Sequence, residues 1–253
     1  ASTSDASTTD ASTTDASTGE STGETGEAMI RFINLSDGPP ARFLVDDQPA
    51  GELYFTQTAH YQPFPAGPRD VSATDGEGAV LANTIGYAFE AGKKYTVAGM
   101  GLHMAGLKLG NPTMWINVDG AVDAVDVPAD HTRITLVNAA PDKHGVYAQL
   151  VYDNEFFIDF YEKNAMQLLA YVQQIVVDCP YPKGEQSDTM TMVAQWGIPA
   201  ETQQLWKAAA LLQVANNESA YVFLTCTGVC NSNADRFLLA MLEDSTPFTV
   251  EMP

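Results

Sequence analysis

The chain has 253 residues, 45% of them apolar, and a formal net charge of −20. That length suits one large or two modest domains, with ample material for a buried core. The acidity, with Lys93–Lys94 the one adjacent basic pair, excludes nucleic-acid phosphates and anionic lipid surfaces as partners.

Residues 1–27 contain no Val, Ile, Leu, Met, aromatic or Cys residue. Such a segment buries too little surface to offset its chain entropy and is expected to be disordered. It reads ASTSD-ASTTD-ASTTD-ASTGE and then degrades into STGETGE, supplying six acids and no base and leaving −14 on the remainder. Hydroxyl residues with one acid per repeat make an extended, self-repelling spacer, a tether. Ser2, Thr3, Thr8, Thr9, Thr13 and Thr14 are its candidate O-glycosylation sites, although the repeat lacks the Pro of mucin-like stalks.

The texture changes at Met29. MIRFINL (Met29–Leu35) alternates and ends in the turn residues Ser36-Asp37-Gly38-Pro39-Pro40. Short strands follow at Ala41–Val45, Glu52–Thr56, Tyr61–Phe64, Asp70–Ala73, Val80–Ile85, Tyr87–Phe89 and Tyr95–Gly99, with Asp46-Asp47-Gln48-Pro49 as a hairpin turn. Such a series predicts an all-β sandwich or barrel. The pattern then restarts. TRITLVN (Thr132–Asn138) before Ala139-Ala140-Pro141-Asp142 echoes MIRFINL, and VYAQLVY (Val146–Tyr152) echoes ARFLV. The run Glu90–Val97 is matched by Asn216–Phe223. This is an internal duplication with too few copies for a solenoid. It divides the chain into a tether (1–27), module 1 (28–127) and module 2 (128–253), with the seam in Val118–Asp130.

The second copy carries an insertion near residues 180–213. Pro199–Gln213 (PAETQQLWKAAALLQ) combines strong helix formers with an early Pro and acid and is predicted helical. Asn164–Asp178 has helical propensity, while the duplication favours a strand at Gln174–Val177.

MIRFINLSDGPPARFLVDD and TRITLVNAAPD, each followed by a Gly/Ala-x-x-Tyr-x-Val strand, resemble a family of tandem domains of unknown function in bacterial extracellular lipoproteins and cell-wall proteins. The tail is similar to those that follow a lipid-bearing cysteine. The resemblance implies export and immunoglobulin-like sandwiches, and it carries over no catalytic residue.

The residues themselves point away from catalysis. No Gly-x-Ser-x-Gly elbow, His-Glu-x-x-His pair or phosphate-binding Gly-Lys-Ser/Thr loop is present. Gly99-Met100-Gly101 reads as a strand end. Three cysteines, Cys179, Cys226 and Cys230, predict one disulfide and one spare thiol, with Cys226–Cys230 the simplest pairing and Cys179 with either partner an alternative. No cofactor is expected. Asp119, Asp123 and Asp126 in the seam are the candidate calcium ligands, against the plainer reading of a solvated acidic linker. Met100, His103 and Met104 are the copper candidates, against gap-filling core. Trp196, beside a Gly in the insertion, is the candidate glycan platform, although strand aromatics are usually core.

No run of eighteen apolar residues exists to span a membrane, no signal peptide is recognisable, and the chain begins without Met, as a processed protein or a trimmed chain would. The sequence thus predicts a non-enzymatic, exported cell-surface protein, tethered through an N-terminal anchor outside this sequence. Its expected partner is another surface or matrix component, or a second copy. The alternative is an extracellular glycan- or divalent-cation-binding module.

Overall fold

The computed structural model describes residues 26–103, 112–119, 131–141, 147–152, 155–159, 171–180, 189–197, 206–215, 219–226, 236–242 and 248–251. Side chains are described for 26–103, 112–119, 131–141, 171–174, 176, 178 and 219–225. These residues form seventeen strands and no helix. Residues 1–25, which carry the six candidate glycosylation sites, lie outside them, while Glu27, assigned to the tether by the sequence, opens the first strand.

The first eight strands are β1 (Glu27–Asn34), β2 (Ala41–Val45), β3 (Gln48–Leu53), β4 (Gln62–Pro65), β5 (Gly67–Thr74), β6 (Val80–Phe89), β7 (Lys94–Met100) and β8 (Thr113–Val118). They make two four-stranded sheets, ordered β4-β1-β7-β8 and β3-β2-β5-β6. The remaining nine are β9 (His131–Asn138), β10 (Tyr147–Tyr152), β11 (Glu155–Asp159), β12 (Gln174–Pro180), β13 (Thr189–Gly197), β14 (Trp206–Ala215), β15 (Ser219–Cys226), β16 (Arg236–Leu242) and β17 (Phe248–Glu251). Their sheets are ordered β12-β9-β15-β16-β17 and β11-β10-β13-β14.

Alternation along β1 explains its nearly continuous apolar run. Ile30 and Phe32 enter the core between the first two sheets, with Phe43, Val71, Tyr95 and Val97. Ile33 points the other way and joins Leu35, Ala98, Met100 and Trp115 in a second cluster with Val137, Ala139, Tyr221 and Phe223. The sheet built on β1 and β7 is therefore covered on both faces, and the sheet built on β9 and β15 lies against its far side. Strands buried on both faces lose the polar alternation of a half-exposed strand.

Both central strands pair in parallel, Ile30 with Tyr95 and Ile134 with Ala220. Each ends in the same device. The Asn34 Oδ1 accepts the Ser36 amide at 2.9 Å, and the Asn138 Oδ1 accepts the Ala140 amide at 3.1 Å. The amide of Thr56 donates to the Asn34 carbonyl, as that of Val172 does to the Asn138 carbonyl. Thr56 and Val172 share a left-handed backbone, with φ of 64° and 70°. The echo between MIRFINL and TRITLVN is thus an echo of backbone geometry.

Three expectations change. The Asp46-Asp47 turn is tighter than its composition predicts: both residues have positive φ, 49° and 62°, and β3 begins at Gln48. That is the geometry of a two-residue hairpin turn whose twist matches its strands. The two strands expected over Val80–Phe89 are one, with Gly86 (φ 66°) at a register break. The predicted helix is overturned where it is described: Trp206–Ala215 is strand β14, paired with β13 from Ala215 opposite Thr189 to Trp206 opposite Gly197. A nine-rung ladder on a partner strand outweighs the fractions of a kcal/mol per residue that separate helix formers from the rest. Gln174–Pro180 is a strand, β12, as the duplication favours.

A β-branched residue at positive φ is strained. Thr56→Gly is expected to raise the unfolding free energy by about 0.5–1 kcal/mol in urea titration, since relief of about 1–2 kcal/mol exceeds the extra chain entropy of Gly.

Candidate functional site

The acid predicted for a calcium seam sits at the centre of a polar junction instead. Asp119 follows β8 and is completely buried, its amide donating to the Lys94 carbonyl at 2.9 Å. Oδ1 accepts from the Thr96 hydroxyl at 2.7 Å and the Tyr221 hydroxyl at 2.5 Å, and Oδ2 accepts from Tyr61. Asn117 Nδ2 donates to the Tyr221 oxygen at 3.0 Å. The junction thereby joins β7, β8 and the loop before β4 to β15, 102 residues further along the chain.

Arg31 supplies the compensating charge. It is 2% exposed, its Nε lies 3.8 Å from Asp119 Oδ2, and it donates to Thr96 Oγ1 at 2.9 Å. Thr96 therefore relays between guanidinium and carboxylate, accepting from one and donating to the other. The guanidinium lies 4.7 Å from the centre of the Tyr61 ring, with the Lys94 ammonium 5.0 Å from the same ring. The Arg31 Nη2 is buried without a hydrogen-bond partner. The aromatic face offsets part of that cost by cation–π attraction.

This donor set does not fit calcium, which takes six to eight oxygen acceptors. The hydroxyls around Asp119 donate to it, and a cation already stands beside it. Among the described residues no group of three or more His, Cys, Asp or Glu side chains gathers as a metal site. Asp123 and Asp126 lie outside the described residues. Met100 is buried in the cluster shared by the two central sheets, and His103 packs its ring against Gly38. Met104 lies outside the described residues.

Two further contacts cross the same interface. Trp115 Nε1 donates to Gln174 Oε1 at 2.7 Å, and Thr225 Oγ1 donates to the Leu35 carbonyl at 3.0 Å. Gly101 closes it. Its φ is +61°, and a Cβ there would stand 2.5 Å from the Tyr171 hydroxyl.

The other sequence candidates fall elsewhere. Cys179 stands opposite Thr132 in β9, while Cys226 ends β15 seven residues beyond Ser219, which pairs with Arg133. At about 3.3 Å per residue the two are more than roughly 20 Å apart along the strands, far beyond the span of a disulfide, so the register overturns that pairing. Their side chains, and all of Cys230, lie outside the described residues. Trp196 is in β13 opposite Ala148 and Ala208, with its side chain likewise outside them.

A second feature lies on the outer face of the β3-β2-β5-β6 sheet, where a groove of about 650 Å³ is lined by Arg42, Glu52, Ser72, Thr74, Leu44 and Val80, among others. The groove is bounded at one end by the Asp46-Asp47 turn. Burial would raise the Asp46 carboxyl, but the Asp70 amide and the Arg69 guanidinium outweigh it and hold the group below its ordinary range. Neither the groove nor the Arg31–Asp119 junction has a local motif. The sole signal for the junction in the sequence is a charged or polar residue at an inward position of an apolar strand, Arg31 in β1 and Thr96 in β7.

The class these features define is an all-β protein of sandwich-like sheets joined through a buried charged junction. Residues 28–149 match a domain of unknown function, DUF4397, which takes in β1 to β9 and reaches into β10. No curated protein matches the chain.

Removing the Asp119 carboxylate leaves Arg31 buried and uncompensated. Asp119→Ala is expected to cost about 3–5 kcal/mol, and Tyr221→Phe about 1–3 kcal/mol, in guanidinium unfolding at pH 7. Burial first, and then the Asp119 charge, pushes the Tyr221 hydroxyl well above its ordinary 10.0, and burial raises Tyr171 as well. The folded state holds both protons more tightly than the unfolded chain. Their contribution is therefore whole below pH 10 and is lost as pH rises above it, by about 1.4 kcal/mol per pH unit for each tyrosine. Tyr221→Phe should remove one tyrosine's share of that alkaline slope. An unchanged slope would show that Tyr221 does not titrate with unfolding.

Proposed function

We propose that this chain is a non-catalytic cell-surface scaffold or adhesion protein, exported and held on its N-terminal Ser/Thr-rich tether. On this reading it carries two tandem immunoglobulin-like sandwich modules, and its partner is another surface component or a second copy. The observation that supports it most is the Asp119 junction. A buried charge is spent on coupling β8 and β7 to β15, which bonds the two halves of the chain to one another. Stiffness between modules is what a spacer or adhesive element needs. The repeated strand order and the paired Asn34 and Asn138 turns support a duplicated module, and the DUF4397 match is consistent with the extracellular family that the sequence resembles.

A second reading, an extracellular ligand-binding module, is favoured by the groove on the β3-β2-β5-β6 face.

The scaffold reading is tested with beads carrying the full chain through its N-terminus. They are expected to cluster with one another, or to adhere to bacterial cell-wall preparations, in a concentration-dependent way that survives EDTA. Dispersed, non-adherent beads together with a monomer in sedimentation at every concentration would overturn it.

A further inference from the structure

The groove on the outer face of the first sandwich has a chemistry of its own. Strand pairing sets Glu52, Arg42, Thr74 and Val80 side by side on four adjacent strands, since Arg42 pairs with Glu52 in β3 and Thr74 in β5, and Thr74 pairs with Val80 in β6. The neighbouring positions Phe43, Val71 and Ala73 face the core, so alternation turns Arg42, Leu44, Ser72 and Thr74 outward. Arg42 Nε donates to Glu52 Oε2 at 2.7 Å, with both side chains about half exposed, 53% and 44%. An exposed pair of this kind contributes little to stability. What it does offer is a fork of guanidinium donors beside carboxylate acceptors, with no net charge between them.

That pairing selects the ligand. An anion meets Glu52, Asp47 and the field of a chain carrying −20, and a cation, though it finds those two carboxylates, meets Arg42 in the middle of the rung. A neutral molecule whose groups both donate and accept satisfies both members, and vicinal hydroxyls do so at the spacing of adjacent side chains. Ser72 and Thr74 add hydroxyls, while Leu44 and the 63%-exposed Val80 give an apolar surface for C–H groups. Gly51 and Gly78 also line the groove, and a Cβ built on either meets nothing within 4 Å, so the backbone leaves the space open.

We infer that this groove binds a neutral glycan, with Arg42 and Glu52 reading a vicinal diol and Leu44 and Val80 packing on the sugar's apolar face. The inference rests on the ligand-binding reading and is independent of the scaffold reading. It places the glycan site on the first sandwich, away from Trp196.

The test is titration of the 15N-labelled full chain with cellohexaose, mannohexaose and N-acetylchitohexaose, followed through the amides of Gly51, Glu52, Ser72 and Gly78. Calcium chloride, spermine and a heparin hexasaccharide serve as charged comparisons. At least one neutral probe is expected to shift those amides saturably, with affinity falling about tenfold or more in Arg42→Ala and in the groove-filling Ser72→Phe. Retained amide dispersion in each variant establishes that it is folded, and Glu52→Gln supplies a milder change should either fail to fold. Groove shifts caused by spermine or calcium alone would overturn the glycan inference while sparing the ligand-binding reading. Silence of these amides toward every probe would overturn both.

Discussion

A carboxylate with no access to water must be answered on all sides, and Asp119 is answered by groups from distant parts of the chain. Thr96 comes from the strand that pairs with β8, Tyr61 from the loop before β4, Tyr221 from β15, and Arg31 from β1, which lies between β4 and β7. Buried charge is tolerated only where hydrogen bonds and an opposite charge compensate desolvation. The requirement therefore fixes the placement of β1, β7, β8 and β15 together. The apolar cluster of Ile33, Ala98, Trp115, Val137 and Phe223 supplies area to the same interface, but area is indifferent to register. The directed bonds to Asp119 are what distinguish one alignment of the two central sheets from a neighbouring one.

Aromatic packing reinforces that alignment. Trp115 meets both Tyr221 and Phe223 edge to face, with centroids 5.7 and 5.5 Å apart, while Tyr221 and Phe223 stack at 5.8 Å. Tyr221 thus serves both chemistries, its ring in the apolar cluster and its hydroxyl on the carboxylate. A single side chain links the polar and the apolar halves of the interface.

The all-β class and most strands of the first half were legible in the sequence because alternation and turn residues are local signals. The echo between MIRFINL and TRITLVN was legible, and Asn34 and Asn138 end their strands by the same side-chain bond to the backbone two residues on. Residues Trp206–Ala215 misled because Ala, Leu and Gln favour helix only when nothing competes, and here β13 competes along nine rungs. Asp119 was noticed for its charge, as a calcium candidate or part of a solvated acidic linker, and it is a buried hydrogen-bond acceptor. Its acidity is visible from residue types, but the identity of its partners is a matter of contacts 23 to 102 residues away, which no spacing rule reaches. The groove was invisible for a related reason: Arg42, Thr74 and Val80 become neighbours only through strand pairing.

The parallel pairing of the central strands has a consequence for how the chain is made. The strand β1 is made before its neighbour β7, which follows some sixty residues later, and β9 must likewise wait for β15. Long-range pairing of this kind closes late and slowly. Even when the first four-stranded pair of sheets has assembled, Ile33, Ala98 and Trp115 remain uncovered until Phe223 and Tyr221 arrive. For that interval the nascent protein carries an adhesive apolar face, and a piece ending near Asp119 would carry it permanently. The stretch that reads as a repeat in the sequence thus leaves part of its apolar surface to be covered by strands made later.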